Sequence, residues 1–194
     1  MSYVLYGGLF DPPHAGHLSI AIQAYRHIEP DMLIWLPSGN PQHRQPGHID
    51  VKQRYDMLEW WINLKKTDLN MNFEVSDIEC RSGHDGYSIT SVMYFKSRYP
   101  GQKQYFLVGS DEAVQLKNWY EWEKLIENTN LIVADRGGDY DLPAEIAQKS
   151  VILENDIVSV SSTWIREHLQ EKNTVGKYMD AELLGYIRDK SLYR

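Results

Sequence analysis

The chain has 194 residues, 42% of them hydrophobic and 24% charged, with a formal net charge of −7. That length suits one domain with a sizeable core, and the ordinary charged fraction excludes a disordered chain. The acidic balance argues against a protein that wraps nucleic acid non-specifically, while leaving room for a phosphate site built from a few local donors.

Cys80 is the only cysteine. An internal disulfide and a cysteine zinc site are thereby excluded, and a reducing compartment is the simplest inference. No apolar run approaches the roughly 18 residues of a membrane span, and the N-terminal YVLY is too short and lacks a basic leader for a signal peptide. These features predict a cytoplasmic protein with neither membrane nor nucleic acid as partner. A homo-oligomer is compatible with them.

In chain order, strand-like runs fall at Tyr3–Tyr6, Met32–Leu36, Met71–Val75, Gln104–Val108, Leu131–Ala134 and Val151–Leu153. Between most of them lie segments with helical spacing. Leu18, Ile22 and Tyr25 mark one apolar face; Tyr55, Leu58, Trp61 and Ile62 a second; Ile89, Val92, Met93 and Tyr94 a third. Short strands alternating with helices predict βαβ units, hence a parallel sheet with right-handed crossovers. From Ser161 to Arg194 there are two helical patterns and no strand, with Ser161 or Ser162 as the N-cap. The expectation is an α/β protein, one domain over 1–194, with a Rossmann-like doubly wound parallel sheet and a helical C-terminal subregion at 161–194.

Ligands of such sheets bind beyond the carboxyl ends of the strands, so the residues that follow strands carry the chemistry. The first is GGLFDPPHAGH, positions 7 to 17. Gly7 and Gly8 permit tight turning and close approach of a ligand. A helix starting near His14–His17 turns its first amides to the same place, which favours phosphate. His14 and His17, three apart, project from that first turn. There is no GxxxxGK[ST] loop and no GxGxxG fingerprint, and two histidines without an evident third ligand make a weak zinc site.

The stretch as a whole resembles the GGTFDPxHxGH signature of the nucleotidyltransferase superfamily, whose histidine box holds ATP phosphates. The resemblance implies ATP contacts from Gly7, Gly8, Leu9 and Phe10, with His14 and His17 catalytic. Leu9 stands where the family has Thr or Ser, which removes a hydroxyl contact to phosphate. VSVSSTWIREHL, positions 158 to 169, is similar to the family's ISSTxIR box. It implies that Ser161, Ser162 and Thr163 hold ATP and that Arg166 assists catalysis, a pairing of helix N-terminus and guanidinium that suits a departing pyrophosphate.

Three further segments resemble the bacterial nicotinate-nucleotide adenylyltransferases. GSDEAVQLKNWYEWEKL, 109 to 125, implies ATP ribose contacts at Gly109 and Asp111 and stacking of Trp119 on a pyridine ring, flat indole against flat heterocycle. GYSIT, 86 to 90, implies that Tyr87 and Ser88 face a nicotinate carboxylate. PSGNPQHR, 37 to 44, implies a mononucleotide-phosphate loop with Asn40, His43 and Arg44; Gln42 replaces the family's proline. QRYDML and LGYIRDKSLYR match segments that look structural.

The resemblance runs from Tyr3 to Arg194. It implies adenylyl transfer from ATP to nicotinate mononucleotide, with Mg²⁺ accompanying ATP and no metal site on the protein. The competing expectations are the same chemistry on nicotinamide mononucleotide or pantetheine phosphate, and a non-catalytic nucleotide sensor of the same fold.

Overall fold

Six runs rich in β-branched and aromatic residues form strands, and the amphipathic segments between them form helices. The computed structural model describes residues 1–39, 47–135, 137, 140–153, 158 and 160–193. In chain order the elements are β1 (Ser2–Gly8), α1 (Ala15–Ile28), β2 (Met32–Pro37), α2 (Val51–Leu69), β3 (Phe73–Val75), α3 (Ser88–Arg98), β4 (Lys103–Gly109), α4 (Ser110–Ala113), α5 (Trp122–Asn128), β5 (Asn130–Ala134), α6 (Ala144–Ala147), β6 (Ser150–Leu153), α7 (Ser162–His168), α8 (Lys172–Val175) and α9 (Ala181–Asp189). Short 3₁₀ turns occupy Ile78–Cys80 and Leu116–Asn118.

Among the described residues all strand pairs are parallel, in the order β3-β2-β1-β4-β5-β6. This is the doubly wound order expected from alternating strands and helices. The order reverses between β1 and β4, so their outgoing loops part and leave a crevice at that point.

Side chains alternate along each strand and bury both faces of the sheet. Val4, Tyr6, Leu33, Trp35 and Leu107 join the helices α1, α2 and α9 in one core cluster. Tyr3, Leu5, Ile34, Phe106 and Val108 join Ile89, Val92 and Leu125 in the other. Ile165, Leu183, Ile187 and Leu192 from the C-terminal helices belong to the first cluster.

Helix ends follow from local chemistry. Asp50 and Gln53 form a reciprocal capping box at the start of α2, and Ser161 caps α7 by accepting the Trp164 amide at 3.1 Å. Two expectations need correction. β3 begins at Phe73 rather than Met71, because Asn70 ends α2 in the left-handed region and the Met71 amide still donates to Lys66. The C-terminal stretch holds three helical segments rather than two, since a single turn, α8, separates α7 from α9.

Candidate active site

The carboxyl ends of β1 and β4 open into a cleft of about 560 Å³. Its walls come from the turn after β1, the start of α3, the end of β4 with α4, Trp119, and the segment that enters α7.

The turn between β1 and α1 is held by partners from distant parts of the chain. Arg54, 1% exposed, donates to the Leu9 carbonyl at 3.0 Å and to the Gly39 carbonyl at 3.3 Å, joining the loops that leave β1 and β2. Burial pulls Arg54 below the ordinary guanidinium value, and the nearby Asp11 opposes that effect. Asp11 is 2% exposed. Its carboxylate accepts the His48 amide at 2.6 Å and the Tyr193 hydroxyl at 2.7 Å. Tyr193 is raised above the usual phenol value, by burial first and by that carboxylate second.

The same turn joins the start of α7. Arg166 donates to the Asp11 carbonyl at 2.6 Å and to the Thr163 hydroxyl at 3.0 Å. The Ser162 hydroxyl donates to the Pro12 carbonyl at 2.8 Å. The turn leading into α1 and the start of α7 therefore meet through direct hydrogen bonds, although about 150 residues of chain lie between them. That places two helix ends and one guanidinium on one cleft, a setting that favours anions.

His14 is the N-cap of α1, and its Nδ1 accepts the His17 amide at 3.4 Å. The two rings stack with centroids 3.7 Å apart, and both residues are buried, at 3% and 8% exposure. Phe10 packs on the His17 ring at 5.0 Å and also on Tyr6 and Trp35. Its φ of 50° is costly for a non-glycine residue, by about 1–3 kcal/mol, and the packing of its ring holds it there.

The glycines serve different purposes from tight turning. Gly7 and Gly8 lie in the last residues of β1, and a Cβ on Gly8 would sit 2.8 Å from the Phe10 ring. Gly16 lets α1 approach the segment before α7, since its Cβ would fall 2.8 Å from the Val158 carbonyl oxygen.

Most residues singled out in the sequence line this one cleft: Gly7, Gly8, Leu9, Phe10, His14, His17, Gly109, Asp111, Ser161, Ser162, Thr163 and Arg166, together with Ser88 and Trp119. Trp119 is 8% exposed and meets Phe106 edge-on at 6.3 Å. Tyr87 is not on the wall; its ring packs, tilted, on the exposed Tyr120 with centroids 4.4 Å apart. Asn40, His43 and Arg44 lie outside the described residues.

Sequence reading missed the supports. Asp11 sits inside the quoted glycine–histidine stretch and Arg54 inside QRYDML, yet neither shows its partner in the sequence. His48, Glu79 and Gly86 also line the cleft. Burial pushes the Cys80 thiol up to about 11, which disfavours its thiolate. Among the described residues, no group of three or more His, Cys, Asp or Glu is placed to hold a metal ion, and no helix is long and apolar enough to cross a membrane.

Known proteins resemble this chain along most of its length. The family model described as cytidylyltransferase-like matches residues 5–168. A protein of Clostridium tetani named probable nicotinate-nucleotide adenylyltransferase is 29% identical over 98% of both chains. One of the same name from Caldicellulosiruptor saccharolyticus is 29% identical over the full length of both. A solved structure of Plasmodium falciparum nicotinic acid mononucleotide adenylyltransferase, complexed with NaAD, superposes with a TM-score of 0.81 at 21% identity, covering 99% of this chain and 97% of that one.

Proposed function

The chain belongs to the cytidylyltransferase-like family, and from that premise we propose that it transfers the adenylyl group of ATP to nicotinate mononucleotide. The products are nicotinate adenine dinucleotide and pyrophosphate. The observation that carries the reading is the joined pair of helix starts, α1 with its two stacked histidines and α7 with Arg166, on a cleft at the sheet's switch point. The names of the full-length relatives supply the acceptor.

In this reaction an oxygen of the mononucleotide phosphate attacks the α-phosphorus of ATP in line. The bond from that phosphorus to the bridging oxygen of the β-phosphate breaks, and pyrophosphate leaves with the electron pair. The attacking phosphate is already anionic, so neither a general base nor a protein nucleophile is required. The protein's task is positioning and stabilisation of charge.

Each residue has a role on this reading. His14 and His17 act on the α- and β-phosphates, and Arg166 with the hydroxyls of Ser161, Ser162 and Thr163 on the departing pyrophosphate. The backbone of Gly7 to Phe10 follows the triphosphate, with Leu9 contributing no hydroxyl. Gly109 and Asp111 face the ribose. Trp119 stacks on the pyridine ring, Ser88 belongs to the edge facing its carboxylate while the Tyr87 ring lies off that wall against Tyr120, and Asn40, His43 and Arg44 supply the mononucleotide phosphate contacts. Mg²⁺ enters with ATP as part of the substrate, bound mainly by phosphate and water oxygens.

The test is pyrophosphate release from ATP with a panel of mononucleotides. Nicotinate mononucleotide is expected to show the highest kcat/KM, ahead of the nicotinamide form. A His14→Ala/His17→Ala double variant is expected to lose release. The reading fails if no pyridine mononucleotide elicits pyrophosphate, or if the double variant works at the native rate.

A further inference from the structure

The edge of the cleft at the start of α3 is held by a chain of hydrogen bonds outside the machinery described above. The His84 side chain is 5% exposed. Its Nδ1 accepts the Gly86 amide at 3.0 Å, which assigns the ring proton to Nε2. That nitrogen lies 3.2 Å from the hydroxyl of Ser91, a residue with no exposed surface. Ser91 in turn donates to Oε1 of the buried Glu79 at 2.7 Å. The order of donors is therefore Gly86 amide to His84, His84 to Ser91, and Ser91 to Glu79. Such a chain needs an imidazole with one proton, and burial pushes His84 below the ordinary imidazole value, in the direction that keeps it neutral.

Two of the residues so tied, Glu79 and Gly86, border the cleft, and Ser88 borders it beside them. Gly86 has a φ of 80°, a conformation open mainly to glycine, and the His84 acceptor is what this amide meets there. Immediately after it, Asp85 accepts the Tyr87 amide at 3.0 Å and the Thr90 hydroxyl at 2.7 Å, which sets the first turn of α3. His84 and Asp85 thus fix successive peptide units of one short edge, and at Gly39 a Cβ would collide with the Glu79 carbonyl.

We infer that His84 is a positioning residue for the acceptor mononucleotide: by holding the Gly86 amide from behind, it aims the Gly86–Ser88 edge at the pyridine end of that substrate. This rests on the adenylyl-transfer reading above. His84 itself touches no substrate. Its effect falls on the acceptor and spares the triphosphate, which meets α1 and α7.

Two substitutions separate the two faces of the ring. Asn presents an acceptor where His84 has Nδ1 but lacks the donor that faces Ser91. Gln places its amide donor near the Nε2 position and offers Gly86 no acceptor. Steady-state kinetics with ATP and nicotinate mononucleotide, read as pyrophosphate, give both KM values for His84→Ala, His84→Asn and His84→Gln. Loss of one buried hydrogen bond is expected to raise the mononucleotide KM about 5- to 10-fold in the Ala and Gln variants. The Asn variant is expected within about threefold of native, with the ATP KM unchanged in all three.

The inference is overturned if the mononucleotide KM of His84→Ala is native, if both KM values rise together, or if Gln restores as well as Asn. Should His84→Ala fail to fold, the contrast between Asn and Gln decides alone. A native enzyme that releases no pyrophosphate overturns the reading on which this rests, and this inference with it. A working native enzyme with a flat His84 series overturns this inference only.

Discussion

Gly16→Ala is the perturbation whose outcome separates local propensity from tertiary contact. Gly16 lies in the first turn of α1, where alanine is the better helix former by about 1 kcal/mol. By that argument alone the variant gains stability. The contacts say otherwise. The new Cβ would stand 2.8 Å from the Val158 carbonyl oxygen and 3.0 Å from His14 Nδ1, whereas ordinary contact begins near 3.4 Å. The first neighbour is backbone and cannot rotate aside, so the segment entering α7 must withdraw by roughly 0.6 Å.

Overpacking of this kind costs about 1–3 kcal/mol, which outweighs the gain in propensity and leaves a net loss of about 1 kcal/mol. The larger consequence is catalytic. Both displaced groups belong to the junction of α1 and α7, and small misplacements of positioned groups cost up to about 10²-fold in rate. We expect a lower urea midpoint and kcat down by about 10- to 100-fold. Gly185→Ala is the control: it makes the same substitution in the middle of α9, where the new Cβ meets only the tip of Arg188 at 3.8 Å. That variant should gain about 1 kcal/mol and keep native turnover. A Gly16→Ala protein that is stabilised like Gly185→Ala and turns over normally would refute the reasoning.

His17→Ala is expected to keep its fold by far-UV circular dichroism and to lose about 10²- to 10³-fold in kcat, the usual loss for one well-aimed donor; a near-native rate removes His17 from the chemistry. Trp119→Ala should raise the KM of the mononucleotide more than that of ATP, and equal effects on both would contradict ring stacking. Asp180 caps α9 and accepts bonds from Trp61 at 2.9 Å and Lys65 at 2.7 Å. Burial alone would raise its carboxyl, but those bonds and the Leu183 amide hold it below the usual range. Its folded value lies below its unfolded one, so its contribution is present above about pH 4 and lost as pH falls through the folded value. Urea midpoints measured from pH 7 downward should therefore decline less steeply below about pH 4 in Asp180→Asn than in the native protein. Parallel curves would contradict that linkage.

The elements and their order were legible because they rest on local pattern. Alternating apolar runs and helical stripes predicted all six strands and the parallel sheet. Errors fell at ends, as at Met71, where a left-handed Asn70 and a backbone bond from Met71 to Lys66 decide the boundary. In the C-terminal stretch the single turn of α8 carries too few residues to show a period.

The sequence by itself determined the composition of the cleft: glycine and histidine around the end of the first strand, hydroxyls and arginine at a late helix, tryptophan after the fourth strand. These are short motifs whose chemistry resides in neighbouring residues. Only the tertiary structure decided what holds them together. Arg54 bonding two loop carbonyls, Tyr193 reaching Asp11 across 182 positions, and Ser91 linking His84 to Glu79 are partnerships that no motif announces. Such pairings have no period and no spacing rule. They exist because a buried polar group must find a partner, and which partner it finds is set by how the sheet brings the ends of its strands together.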